Sequence, residues 1–337
     1  MKKRRLGRSA LVVSEICMGT MTFGSMADEA TALAILDKAF DAGVDFFDTA
    51  EIYPVPPDAR WQGRTEEILG KWLATKPRDA VILATKVTGP SHTWFAAPLR
   101  GGKTALDRHQ IVRALEGSLK RLKTDYVDLY QVHWPDPDLP PEEPLRALEA
   151  LITAGKVRVI GVSNETAWGL MKSLWAAERA GLPRYETIQN NFSLNHRRFL
   201  DGLAEVCRRE QVSLLAYSPL AGGVLTGKYA AGFPPGARFS RYREAGPRQQ
   251  AMVERFCNER ALEAARRYGA IAADLGVEPA TLAVAWTLAH DFVASSIVGA
   301  THPDQLDASL AAAELVLDEE TLARLDAVAA EIPYPMG

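Results

Sequence analysis

Cysteine is scarce: Cys17, Cys207 and Cys257 are the only three in 337 residues, and they lie far apart. Such spacing fits neither a disulfide framework nor a cysteine-based zinc site, and a reduced, cytoplasmic setting is expected from it. The six histidines, His92, His109, His133, His196, His290 and His302, show no ligand-like spacing, so no metal is expected. No run is apolar for long enough to span a bilayer. The opening MKKRR resembles the basic start of a signal peptide, but Gly7, Arg8, Ser9, Ser14 and Glu15 break up the residues after it, and no apolar stretch with a small-residue cleavage site appears. Charge of neither sign dominates: the formal net charge is −3, which argues against nucleic acid or an acidic membrane as partner. Linker-like and low-complexity stretches are also missing. Length alone would allow two domains, but closed α/β barrels commonly run this long as one, so a single domain, 1–337, is expected.

What is present is alternation. Apolar runs at 15–19, 44–49, 80–86, 126–133, 157–163, 185–190, 212–218 and 293–300 read as strands. Most are continuous rather than alternating, as when both faces of a sheet are covered. Helical patterns lie between them, among them EATALAILDKAFDAG, stopped by Gly43, and DRHQIVRALEGSLKRLK, capped by Asp107. Eight strands with intervening helices predict an α/β fold, the (β/α)8 TIM barrel. The first segment, RRLGRSALVV, reads as a β-hairpin turning near Gly7–Ser9 and suited to plugging the bottom of a barrel. Extra C-terminal helices are expected at about 304–313 and 319–331. Two connections are long, TGPSHTWFAAPLRGGKTAL after the third strand and 221–248 after the seventh, and both fall on the face where the strands end. Long loops there tend to be lids or binding loops. The shorter PDPDLPPEEP comes after the fourth strand.

Asp48, Tyr53, Lys86 and His133 each stand where an apolar run gives way to a loop. In such a barrel those loops converge on one face, where sites are built. Alone, each has a commoner structural explanation: a capping acid, a packing ring before proline, a solvated amine, a hydrogen-bonded core imidazole. Together at the ends of strands two, three and four, they compose a proton donor for carbonyl chemistry. A free phenol holds its proton too tightly near pKa ~10 to be an ideal acid at neutral pH. A nearby ammonium would stabilise the phenolate and lower that value; Asp48 would keep Lys86 charged and aimed; His133 would donate to the carbonyl oxygen.

GGVLTGKY nearly spells a phosphate-binding P-loop, but Tyr229 stands where that motif needs Ser or Thr for magnesium, and GFPPGAR puts the required helix in doubt. No GxGxxG occurs after any strand, which argues against a Rossmann site.

The segments FFDTAEIY, ATK, LYQVHW, IGVSN, QNNFSL, AYSPLAGGVLTGKY and VGATHPDQL, in this order, resemble the aldo-keto reductase superfamily along essentially the whole chain. YPVPP and then QGRTEEILG are similar to a bacterial Tas-type branch of it, with potassium-channel β subunits more distant. The resemblance implies NADPH-dependent reduction of an aldehyde or ketone, with Tyr53 as acid, Lys86 and Asp48 as its support, and His133 orienting the carbonyl. It further implies that Gly19, Thr20, Met21 and Asp48 lie against the cofactor, that Ser163, Asn164 and Gln189 hold the nicotinamide carboxamide, and that Tyr217 stacks on its ring. Ser218, Leu220, Gly222 and Lys228 would approach the pyrophosphate, and Arg238 the adenosine 2′-phosphate. Gly299, Thr301 and Gln305 match cofactor positions after the last strand. The family often has Asn where this chain has Ser309, so adenine recognition and the strictness of cofactor choice depart from the pattern there. Met21, Ile52, Trp94 and Trp134 are candidate walls for a small-molecule carbonyl substrate. Two rivals stay open: a cofactor-binding regulatory protein with little turnover, and a barrel lyase or isomerase without nicotinamide.

Overall fold

Runs such as ILATKV and VRVIGVS offer almost no polar face to water, so they pair where both faces are covered. The computed structural model, which describes residues 1–92 and 95–336, shows where. After a hairpin of β1 (Lys3–Arg5) and β2 (Val12–Ser14), eight parallel strands close into a barrel: β3 (Ile16–Gly19), β4 (Phe46–Asp48), β5 (Ile82–Val87), β6 (Val127–Val132), β7 (Val157–Ser163), β8 (Thr187–Asn191), β9 (Ser213–Tyr217) and β10 (Val293–Gly299), with β10 pairing back onto β3. The expected (β/α)8 barrel is the fold. β7 falls on the expected residues; the other strands differ by a residue or two at their ends, most of them shorter because ladder pairing stops before apolar character does, while β5 and β8 end one residue later than expected.

The outer ring is α1 (Glu29–Asp41), α2 (Arg64–Leu73), α3 (Arg108–Leu122), α4 (Glu142–Thr153), α5 (Ala167–Ala180) and α6 (Leu203–Glu210), continued by α7 (Arg238–Arg243), α8 (Pro247–Phe256), α9 (Glu259–Asp274) and α10 (Pro279–Leu288). Asp107 caps α3 by accepting from the Gln110 amide at 3.1 Å. Two expectations need correction. The segment 221–248 is not simply a loop: it carries a 3-10 turn (Ala221–Thr226), all of α7 and the start of α8. RFSRYR is too short and too polar for a helical period to show. The segment 304–313 is not one helix but a 3-10 turn (Pro303–Gln305), α11 (Leu306–Leu310) and a second 3-10 turn (Ala311–Ala313). The last helix, α12 (Glu319–Glu331), falls where expected. Among the described residues no single helix is long and apolar enough to cross a membrane.

The hairpin closes the barrel's lower end. Leu6, Leu11 and Val13 join Cys17, Phe46, Ala84, Leu129, Val159 and Leu215 in one apolar cluster inside the strands. Gly7 lets the hairpin tip touch the lower rim: its φ is +54°, its amide donates to Ser213 Oγ at 2.8 Å, and an added Cβ would lie 2.5 Å from the Glu186 carbonyl oxygen. Above this cluster the interior turns polar.

Candidate active site

Inward-facing positions near the strand ends carry Asp48 on β4, Lys86 on β5, Gln131 on β6, Ser163 on β7 and Gln189 on β8, and register sets them side by side: Lys86 is level with Gln131, and Ser163 with Gln189. Lys86 is fully buried and Asp48 only 2 % exposed. Burying charge is tolerated only with partners, and these are present. Lys86 Nζ donates to Asp48 Oδ1 at 2.5 Å and to the Thr49 carbonyl at 2.8 Å. Asp48 Oδ2 accepts from Gln189 Nε2 at 2.9 Å and Gln131 Nε2 at 3.1 Å. Both lobes of the carboxylate are therefore fixed, and the ammonium has one direction left. There, at 3.5 Å, is the Tyr53 hydroxyl.

Tyr53 sits in the loop after β4, packed with Ala50, Ile52, Phe95, Ala97 and Leu99. The His133 ring meets it edge-on, centroids 5.7 Å apart. The four residues singled out in the sequence are thus brought together.

Their electrostatics result from burial. Burial pulls the Lys86 ammonium down, but Asp48 and Tyr53 together hold its pKa above the ordinary value, so it stays charged. Burial, aided by the Lys86 charge, holds His133 well below an ordinary imidazole, so the ring is neutral at physiological pH. Tyr53 departs from expectation. Burial raises its pKa, Lys86 lowers it and Asp48 raises it, and the net direction is up. The ammonium only partly offsets desolvation, a contribution invisible in sequence.

The tetrad lies at the inner end of a cleft of about 1550 Å³ at the C-terminal mouth of the barrel. Gly19, Thr20, Met21, Ser163, Asn164, Gln189, Tyr217, Ser218, Leu220, Gly222, Lys228, Arg238, Gly299, Thr301 and Gln305 all line it, as do Ile52 and Trp134. Lys86 lies beneath, behind Asp48 and Tyr53, which line the cleft. Ser309 does not line it: the broken helix turns that side chain inward, 2 % exposed, and presents Ala308 instead. Trp94 lies outside the described residues.

Within the cleft, Asn164 donates to the His133 carbonyl at 2.9 Å and accepts from the Tyr217 hydroxyl at 2.7 Å. Gln189 turns its nitrogen to Asp48 and Gln131, leaving its Oε1 as an acceptor. Lys228 and Arg238 stand close enough that Arg238, after burial, depresses the lysine's pKa. Neither has a carboxylate partner among the described residues. Sequence reasoning missed Gln131, Asn191, Arg248 and Arg255. Gln131 left a signal, a lone amide inside the apolar run VDLYQV. The two arginines are on α8, unrecognised as an element, and they line the cleft.

A family model described as the aldo/keto reductase family matches residues 15–330. The chain belongs to that family. It is 44 % identical to "Protein tas" of Escherichia coli over 99 % of both chains. It is 37 % identical to "Uncharacterized oxidoreductase YrpG" of Bacillus subtilis, covering 98 % of this chain and 96 % of that one. It is also 34 % identical to a "Probable voltage-gated potassium channel subunit beta" of rice, covering 99 % and 98 %. As an aldo/keto reductase the chain is an oxidoreductase, of a family that generally uses nicotinamide cofactors.

Proposed function

We propose that the protein reduces an aldehyde or ketone to the alcohol with NADPH, with Tyr53 as the proton donor. The observation that carries this is the ordered series Asp48, Lys86, Tyr53: a fixed carboxylate, a buried ammonium 2.5 Å from it, and a phenol 3.5 Å further along, facing the cleft.

The residues present fit a dinucleotide. Gly222 and Gly223 have φ of +66° and +99°, and a Cβ on Gly222 would lie 2.6 Å from Phe239 Cζ. The bare backbone leaves room for close approach by a pyrophosphate. Lys228 and Arg238 supply charge that an anion would satisfy. Ser163, Asn164 and Gln189 offer both donor and acceptor atoms for a carboxamide. NADPH, when bound, supplies hydride to the carbonyl carbon.

Everything else falls to the chain. The neutral His133, whose Nδ1 is buried without a partner, is left to use Nε2 as donor to the carbonyl oxygen. That oxygen gains charge as the carbon is reduced, and the Tyr53 proton moves to it. Lys86, held charged by Asp48, stabilises the phenolate left behind. In the reverse direction the phenolate accepts the alcohol proton. Apolar walls from Met21, Ile52, Val55, Phe95 and Trp134 exclude water around these groups. The assay that tests the reading monitors NADPH oxidation over a panel of aldehydes, ketones, quinones and dicarbonyls, with Tyr53→Phe alongside. Turnover that survives in the variant removes Tyr53 from the reaction.

The likeness to proteins named as potassium-channel β subunits supports a second reading, a cofactor-binding regulatory protein with little turnover. Tight NADPH binding with negligible reduction of every carbonyl in the panel would favour it. A cytoplasmic location, with the cofactor pool such a reductase needs, belongs to the first reading.

A further inference from the structure

Next to the tetrad, a buried ion pair remains without a part in this chemistry. Glu51, 2 % exposed and two residues before Tyr53, receives both arms of the Arg100 guanidinium, at 2.7 and 2.9 Å. The same carboxylate accepts from the Thr88 amide at 2.7 Å, and the Glu51 amide reaches the Lys86 carbonyl at 3.4 Å. Glu51 therefore ties the loop carrying Tyr53 to the end of β5, at the Lys86 carbonyl and at Thr88 just beyond the strand. Arg100 ties in a third segment, the far part of the long β5–α3 connection, whose Phe95, Ala97 and Leu99 pack on Tyr53.

A buried ion pair is weak evidence for stability, because an apolar replacement is often neutral or better. Its place here has another use. The Tyr53–Lys86 separation, 3.5 Å, is at the outer edge of a hydrogen bond. A few tenths of an ångström decide whether the ammonium hydrogen-bonds the phenol or acts on it through charge alone. We infer that Glu51 and Arg100 are positioning residues for the reaction proposed above: their pairing sets the approach of Tyr53 to Lys86 and fixes the wall against which the carbonyl lies. Neither touches the reacting atoms; both act through Tyr53.

Three variants of the full chain test this. Arg100→Lys keeps the charge but not the fork; Arg100→Met leaves Glu51 buried and alone; Glu51→Leu with Arg100→Met removes both charges, so that no unpaired group forces unfolding. In crystal structures of Arg100→Met and the double variant, the Tyr53–Lys86 separation is expected to lengthen to about 4 Å or more, beyond hydrogen bonding. In the reductase assay, kcat is expected to fall roughly tenfold to a hundredfold, the scale of a misplacement of about an ångström. The KM for NADPH should hold, the alkaline limb of alcohol oxidation should move up, and Arg100→Lys should fall between. A lowered melting temperature with unchanged separation, kcat and pH profile would mean that the pair only stabilises the fold, and the inference would be lost. Full kcat in the double variant would end it equally. If the parent protein turns over no carbonyl, or Tyr53→Phe matches it, the reductase reading fails, while the crystallographic separation still decides this one.

Discussion

At the scale of single residues, the site works against its own burial. Tyr53 is enclosed by apolar neighbours, and burial raises its pKa; among the described residues Lys86 is the group that opposes this. Tyr53→Phe keeps the ring and removes the proton, so reduction should fall by about 10²–10⁴-fold, the usual contribution of a positioned acid. NADPH affinity, by fluorescence titration, should barely move. Lys86→Met removes the lowering influence and leaves desolvation unopposed. The phenol's pKa then rises further, so the alkaline limb of alcohol oxidation, which needs the phenolate, should shift up in pH as activity drops; an unmoved limb at full activity would sink the coupling. Asp48→Asn should show a milder form. His133 gives the complementary result. Its pKa lies well below the ordinary imidazole value of 6.5, so it is already neutral above that value and gains no proton on modest acidification. The kcat profile across neutral pH should therefore carry no imidazole limb, and His133→Gln should lower kcat without removing one.

Elements decide how the cleft holds its occupant. The turn after β9 depends on glycine: Ala at 222 would need a left-handed backbone at φ +66° and would press on Phe239. Gly222→Ala should cost about 1–2 kcal/mol from the backbone alone, read by denaturant unfolding, and should weaken NADPH and NADH together. Arg238, on α7, is the cation expected at the 2′-phosphate. Arg238→Ala should weaken NADPH by roughly 10- to 150-fold, the equivalent of a charge-assisted bond of about 1.5–3 kcal/mol, and leave NADH almost untouched. Lys228→Ala should weaken both; equal losses from Arg238→Ala would place phosphate recognition elsewhere. These elements also mark how far the sequence could be read. Strands announce themselves because burial on both faces leaves only apolar letters, and Tyr53, Lys86 and His133 stood out as breaks in that pattern. Gln131 broke it too, as a lone amide inside VDLYQV, but nothing in its own segment tells that it faces inward to hold Asp48. Arg248 and Arg255 lie on α8, an element whose start reads in the sequence as part of a long connection, and Ser309 lies on a five-residue helix that breaks just after it. The rise in the Tyr53 pKa depends on packing from another loop, which no single segment contains.

For the whole molecule, the hairpin and the mouth lie at opposite ends of one barrel. Gly7→Ala would force a Cβ to within 2.5 Å of the Glu186 carbonyl oxygen. It should therefore lower the melting temperature while leaving kcat, measured well below that temperature, unchanged. A loss of kcat without a loss of stability would show the two ends to be coupled. A tube stopped at one end fills and empties through a single opening, so two guests must queue. The groups fitted to a carboxamide, Ser163 and Gln189, sit on β7 and β8 themselves, whereas the apolar walls suited to a carbonyl, Phe95 and Trp134, lie in the loops beyond β5 and β6. The dinucleotide must then be first in and last out, with the carbonyl and its alcohol coming and going above it. Initial-rate kinetics should be ordered: NADP⁺ competitive with NADPH, and the alcohol competitive with neither substrate. A random-order pattern would mean that the one open mouth admits the carbonyl before the dinucleotide, since the hairpin closes the other end.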